Sequence, residues 1–194
     1  MNRSLPFFVV LLISFVPSAF AGWQLDGKAS SIGFISVKNG AVVESHHFNE
    51  LSGSITDAGS ATVNINLDSV DTMIPIRNER MRAMLFKTET YPEATISVDL
   101  DMATYGRLKA GEAVSQEIAG TLSMAGQTAT VMVPVIVVRG HNSVVVSSKK
   151  SLIINAANWN LTPGIEALRA IAQLTSITPA VPVSFTLKFN REGK

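Results

Sequence analysis

Along much of this chain apolar and polar residues take strict turns. Ala61, Val63, Ile65 and Leu67 alternate with Thr62, Asn64, Asn66 and Asp68. The same period of two runs through Ala94, Ile96, Val98 and Leu100, through Ile118, Gly120, Leu122 and Met124, and through Val183, Phe185, Leu187 and Phe189. Successive side chains of a strand point to opposite faces, so each segment has one face for a core and one for water. Further strands are predicted at residues 31–37, 41–56, 128–139 and 143–154. Met124-Ala125-Gly126-Gln127 and Arg139-Gly140-His141-Asn142 read as hairpin turns, and residues 109–115 as a loop.

Two short helices interrupt the strands. Pro75 suits a first helical position, and Met81, Met84 and Leu85 follow at helical spacing. Thr162-Pro163 opens a second helix, with Ile165, Leu168, Ile171 and Ala172 on one side. Eight amphipathic strands predict an all-β fold: a single eight-stranded antiparallel barrel with an apolar interior and one or two short helices. An outer-membrane barrel would turn its apolar face outward behind aromatic girdles. Here the outer positions are Thr, Asn, Asp and Lys, and aromatics make up only 7%.

Residues 1–21 break the pattern. Arg3 precedes an apolar run from Leu5 to Val16, and Ala19 and Ala21 stand in the spacing a signal peptidase accepts. The run falls short of the ~20 residues a spanning helix needs. The segment therefore reads as a cleaved signal peptide, with residues 22–194 as the barrel domain. No cysteine exists anywhere, so disulfides, thiol catalysis and cysteine metal sites are excluded. An exported, cysteine-free chain fits a bacterial periplasm. The formal charge of +1 provides no basic field for nucleic acid.

Chemistry is sparse. Of the three histidines, His46 and His47 are strand neighbours and face opposite ways, so they cannot share an ion. His46 with Glu50 or His141 is conceivable as a chelating set, but their spacing demands nothing; the reading is polar surface histidines and no metal. No nucleophile elbow, zinc-binding helix or phosphate loop is present. Arg77, Arg80, Arg82 and Lys87 form the one charge cluster, suited either to an anionic headgroup or to a solvated helix face. The methionines suit either an adaptable apolar pocket or an ordinary core.

Several segments resemble the YceI-like family of exported polyisoprenoid-binding proteins. Trp23-Gln24-Leu25-Asp26 with Ser31, Ile32 and Phe34 is similar to its opening strand. Phe48-Asn49-Glu50-Leu51-Ser52-Gly53 resembles its aromatic–glycine turn. The stretch from Ser69-Val70-Asp71-Thr72 through Arg77-Asn78, Met81-Arg82 and Phe86 to Tyr91-Pro92 follows the family order, as does Gly120–Gly126. This chain departs at His46, where the family often has glycine, at Asn78 for a common aspartate, and at Ala125 for a basic residue or histidine. Asn155–Asn160 matches only loosely.

The resemblance implies a lipocalin-like barrel and a non-catalytic carrier or sequestering protein for a long isoprenoid lipid, polyprenyl or quinone-like. Interior candidates are Phe34, Phe48, Ile65, Met84, Phe86, Ile96, Leu122, Met124 and Phe185. The segment 71–91 is expected to cover one barrel end, with Arg77 and Arg82 at the rim for a headgroup or to hold that lid by pairing with a carboxylate. No cofactor, metal or nucleic acid is expected. Transient contact with the inner membrane and a homodimer are further expectations. A packed barrel acting as an accessory protein, or an enzyme acting on a bound isoprenoid, are the alternatives.

Overall fold

The computed structural model describes residues 22–192, so the proposed signal segment 1–21 lies outside the described residues. The strand segments are β1 (Gly22–Leu25), β2 (Ser31–Lys38), β3 (Val42–Phe48), β4 (Leu51–Thr56), β5 (Ser60–Asn66), β6 (Val70–Asp71), β7 (Glu93–Asp99), β8 (Ala113–Met124), β9 (Gln127–Arg139), β10 (Ser143–Ser148), β11 (Leu152–Asn155) and β12 (Ala180–Arg191). They join one sheet in the order β1-β4-β5-β7-β8-β9-β10-β12, and β12 pairs back with β1 to close it. The expected closed eight-stranded antiparallel barrel is what forms.

Strand segments outnumber barrel strands because several strands bend. β1 and β2 both pair with β12 and are two parts of one strand, interrupted by a tight turn at Gly27–Ala29. The strand expected at 41–56 splits into β3 and β4, because the amides of Asn49 and Glu50 leave the ladder and donate to the Ser69 carbonyl and hydroxyl. The strand expected at 143–154 splits likewise at Lys149, whose amide donates to the Pro134 carbonyl. The loop expected at 109–115 is shorter, since β8 already begins at Ala113 opposite Val138.

Alternation places the core. On β9, Val131, Val133, Val135 and Val137 are all buried, while Met132 and Val138, in the opposite phase, are exposed. Each such side chain contributes roughly 1.5–3 kcal/mol when removed from water. The turn after β8 is a two-residue one, with Ala125 and Gly126 both at positive φ (50° and 75°), as the tightest hairpins require.

Antiparallel neighbours put successive turns at two poles. The helical pole carries the hairpin tips at 39–41 and 125–126, helix α1 (Pro75–Arg80), a π-helical turn at Met81–Phe86 that continues it, and the helix at Thr162–Ile171. The opposite turn pole carries the turns at 57–59 and 140–142 and a four-residue helix, α2 (Met102–Tyr105), which the sequence pattern did not signal. The helix at Thr162–Ile171 is α3. Its Ile165 is buried as expected, but Ile171 is 48% exposed rather than on the buried side. α3 and the π turn pack so closely that a side chain at Gly164 would stand 2.7 Å from the Met84 carbonyl oxygen.

Candidate functional site

The inward faces of the barrel do not fill it. They enclose an apolar cavity of about 450 Å³ reaching from the helical pole to the turn pole. That lies within the ~300–1,000 Å³ usual for pockets that enclose a small organic molecule. At the helical pole Phe34, Phe48 and Phe86 line it as a chain of rings, with centroids 5.4 Å (Phe34–Phe48) and 5.9 Å (Phe48–Phe86) apart. Ile65, Ile96, Leu122, Met124 and Phe185 line its wall. Met84 does not: it is half-buried on the π turn, and the adjacent Leu85 and Phe86 face the cavity in its place. Leu122 has a second duty, because its carbonyl accepts a hydrogen bond at 3.1 Å from the indole of the fully buried Trp159.

The segment 71–91 does cover one end of the barrel, but its arginines lie outside the cavity lining. Arg77 reaches the β2–β3 hairpin: Nη1 donates to Glu44 Oε2 at 2.6 Å and Nη2 to the Thr72 carbonyl at 2.5 Å. Arg82 donates to the Asp68 carbonyl at 3.3 Å. Glu44 also holds Lys38 at 2.7 Å. The lysine contact, with Arg77 beside it, keeps the Glu44 carboxyl below its usual range. Asn78 braces the loop before α1: its Oδ1 accepts from the Thr72 amide (2.8 Å) and hydroxyl (2.6 Å), and its Nδ2 donates to Asp71 at 3.2 Å. An aspartate here would lack that last donor and face a second carboxylate.

His46 is only 3% exposed, so the expectation of a surface histidine fails for it, while His47 on the opposite face is 46% exposed. His46 shares a hydrogen bond with Ser36 Oγ at 2.9 Å and lies behind the Phe34 ring at 5.2 Å. Burial, then the nearby Arg77 cation, depress its basicity, and Glu44 at 3.9 Å only partly offsets them. Glu50 turns instead to Asn66, at 2.7 Å, and His141 sits in the turn at the other pole. The three residues conceivable as a chelating set are thus not brought together. Among the described residues no group of three or more His, Asp or Glu side chains could hold a metal ion.

The turn pole holds residues that the sequence reading passed over. Arg139 and Arg191 line the cavity, and their guanidinium carbons stand 4.2 Å and 5.0 Å from the ring centre of Trp23. Tyr105, on α2, also lines it. Burial, with Asp101 nearby, pushes the Tyr105 phenol up, so it stays a donor at neutral pH. A signal for the arginines does exist. The inward series Val133-Val135-Val137 and Phe185-Leu187-Phe189 each continue, one step further in the same phase, into an arginine.

Comparison with known proteins agrees with this architecture. The profile of the YceI-like domain matches residues 23–189. A polyisoprenoid binding domain from Saccharophagus degradans, implicated in plant cell wall breakdown, is 38% identical with a TM-score of 0.85, over 88% of this chain and 98% of that one. BcnA of Burkholderia cenocepacia is 23% identical with a TM-score of 0.65, over 84% and 98% of the two chains. The Campylobacter jejuni YceI protein is 15% identical with a TM-score of 0.54, over 76% and 85%. These last two bear on the fold alone. No curated protein matches the chain in a sequence comparison.

Proposed function

The chain belongs to the YceI-like family, and from that membership we propose that it is an exported, non-catalytic carrier or sequestering protein for a long isoprenoid lipid, polyprenyl or quinone-like. The observation that carries this reading is the unfilled apolar cavity along the barrel, about 450 Å³ in volume and bounded almost wholly by aliphatic and aromatic side chains. A packed accessory barrel would fill that space. An isoprenoid chain gains ~0.8 kcal/mol for each CH₂-equivalent withdrawn from water, so the walls need no polar contact to hold it. The polyisoprenoid binding domain of Saccharophagus degradans, at 38% identity, supports the same ligand class here.

The composition of residues 1–21 supports a periplasmic setting, in which the protein would take up and surrender lipid at the inner membrane surface. Native mass spectrometry of the protein purified from its own cells tests the reading. The expected spectrum carries a bound species whose mass and fragments are those of a prenyl lipid. A spectrum of ligand-free protein, unchanged after incubation with polyprenyl alcohols and quinones, would overturn it.

A further inference from the structure

Resting on the isoprenoid-carrier reading, we propose that the turn pole of the barrel is the headgroup site and that it takes a phosphate or diphosphate, with the prenyl chain running toward the helical pole. The inward phase of β9 and β12 is apolar until it ends in Arg139 and Arg191. Among the described residues no other charged side chain lines the cavity, and no carboxylate does. Trp23 holds both guanidiniums beside its ring and so fixes them at the boundary between cavity and water. Arg191 has a partner in Asp57 at 3.0 Å, whereas Arg139 forms no ion pair among the described residues. The Tyr105 hydroxyl, buried at the same pole, has no hydrogen-bond partner among them either.

The chemistry of this set is one-sided. A guanidinium only donates, and a buried phenol without a partner has an O–H still free to donate to an incoming acceptor. Donors that include a guanidinium without an ion-pair partner, at the end of an apolar cavity, match an acceptor-only anion, which a guanidinium engages through paired hydrogen bonds. At the helical pole the two arginines expected to meet a headgroup already have partners: Arg77 in Glu44 and the Thr72 carbonyl, Arg82 in the Asp68 carbonyl. The expected headgroup arginines therefore give way to a pair at the other end of the molecule.

Geranylgeranyl diphosphate and geranylgeraniol, titrated against the full chain, test this. The wild type should prefer the diphosphate, and the preference should shrink with added salt. Arg139→Gln should lose about tenfold in diphosphate affinity and much less in alcohol affinity, so that the preference for the diphosphate falls. Tyr105→Phe should lose severalfold in the same selective way, and it decides the matter if the arginine variant fails to fold. Equal loss of both ligands, or an unchanged ratio in both variants, would overturn the headgroup site while leaving the carrier reading intact. Selectivity lost in Arg82→Gln instead would move the headgroup to the helical pole. Failure of the wild type to bind either ligand would overturn the carrier reading and this inference together.

Discussion

His46 shows how one buried side chain ties stability to pH. Unfolded, it takes a proton near the ordinary value of 6.5; folded, its burial and the Arg77 cation hold it below that. The unfolded chain therefore binds the proton first, and stability present above pH 6.5 is lost as the pH falls toward the folded value. One proton limits the slope to ~1.4 kcal/mol per pH unit. Around the ring stand Ser36, Phe34, Glu44, Lys38, Arg77 and His47. Glu44, also depressed, adds a loss of the same sign at lower pH. In urea titrations from pH 8 to 5, His46→Gln should flatten the curve just below 6.5; an unchanged pH profile would refute this account. Arg77→Ala should cost about 1 kcal/mol, since its contacts are partly exposed and Lys38 still serves Glu44. That loss should appear in urea unfolding and as faster hydrogen exchange across residues 75–86.

Among the elements, the contact of α3 with the π turn has the least tolerance. Gly164 has no positive φ to explain it; the reason is proximity, with the Met84 carbonyl and the Leu85 Cα 2.7 Å and 2.8 Å from where a Cβ would sit. Alanine favours a helix interior by ~1 kcal/mol over glycine, yet both opposing atoms are backbone and cannot swing aside. Gly164→Ala should therefore destabilise by about 1–3 kcal/mol, as overpacked sites do. Thermal melting checks this, with limited proteolysis expected to cut first at the helical pole. A variant that melts at or above the wild-type temperature would show that the two elements move apart freely.

At the scale of the whole molecule, the cavity makes stability and ligand retention share residues. Leu122 lines it and, through its carbonyl, anchors Trp159 beneath the barrel end. A carboxylate there has no partner, so Leu122→Asp should cost about 3–5 kcal/mol and abolish lipid retention. Denaturant unfolding and mass spectrometry of the purified variant check the two halves separately. A stable Leu122→Asp protein that still carries its lipid would remove Leu122 from the binding wall.

Local features were legible because they depend on neighbours in the chain. The alternation of residues 61–67 or 183–189 marked inward faces, Pro75 marked a helix start, and Ala125-Gly126 marked a turn. Each of those signals reads only a few consecutive residues. The bends at Asn49 and Lys149 were not legible, since the groups that draw those amides away, Ser69 and Pro134, lie far along the chain. The burial of His46 likewise needed contacts outside its own strand, from Phe34, Ser36 and Arg77, and the meeting of Arg139 and Arg191 over Trp23 needed strands far apart in the sequence. The sequence by itself determined which faces are apolar and that the strands close into a barrel. Only the tertiary structure decided that the interior is hollow. Strand number, tilt and stagger set the girth of a barrel, and the volume its inward side chains leave unfilled is a property of that closed ring, not of any segment.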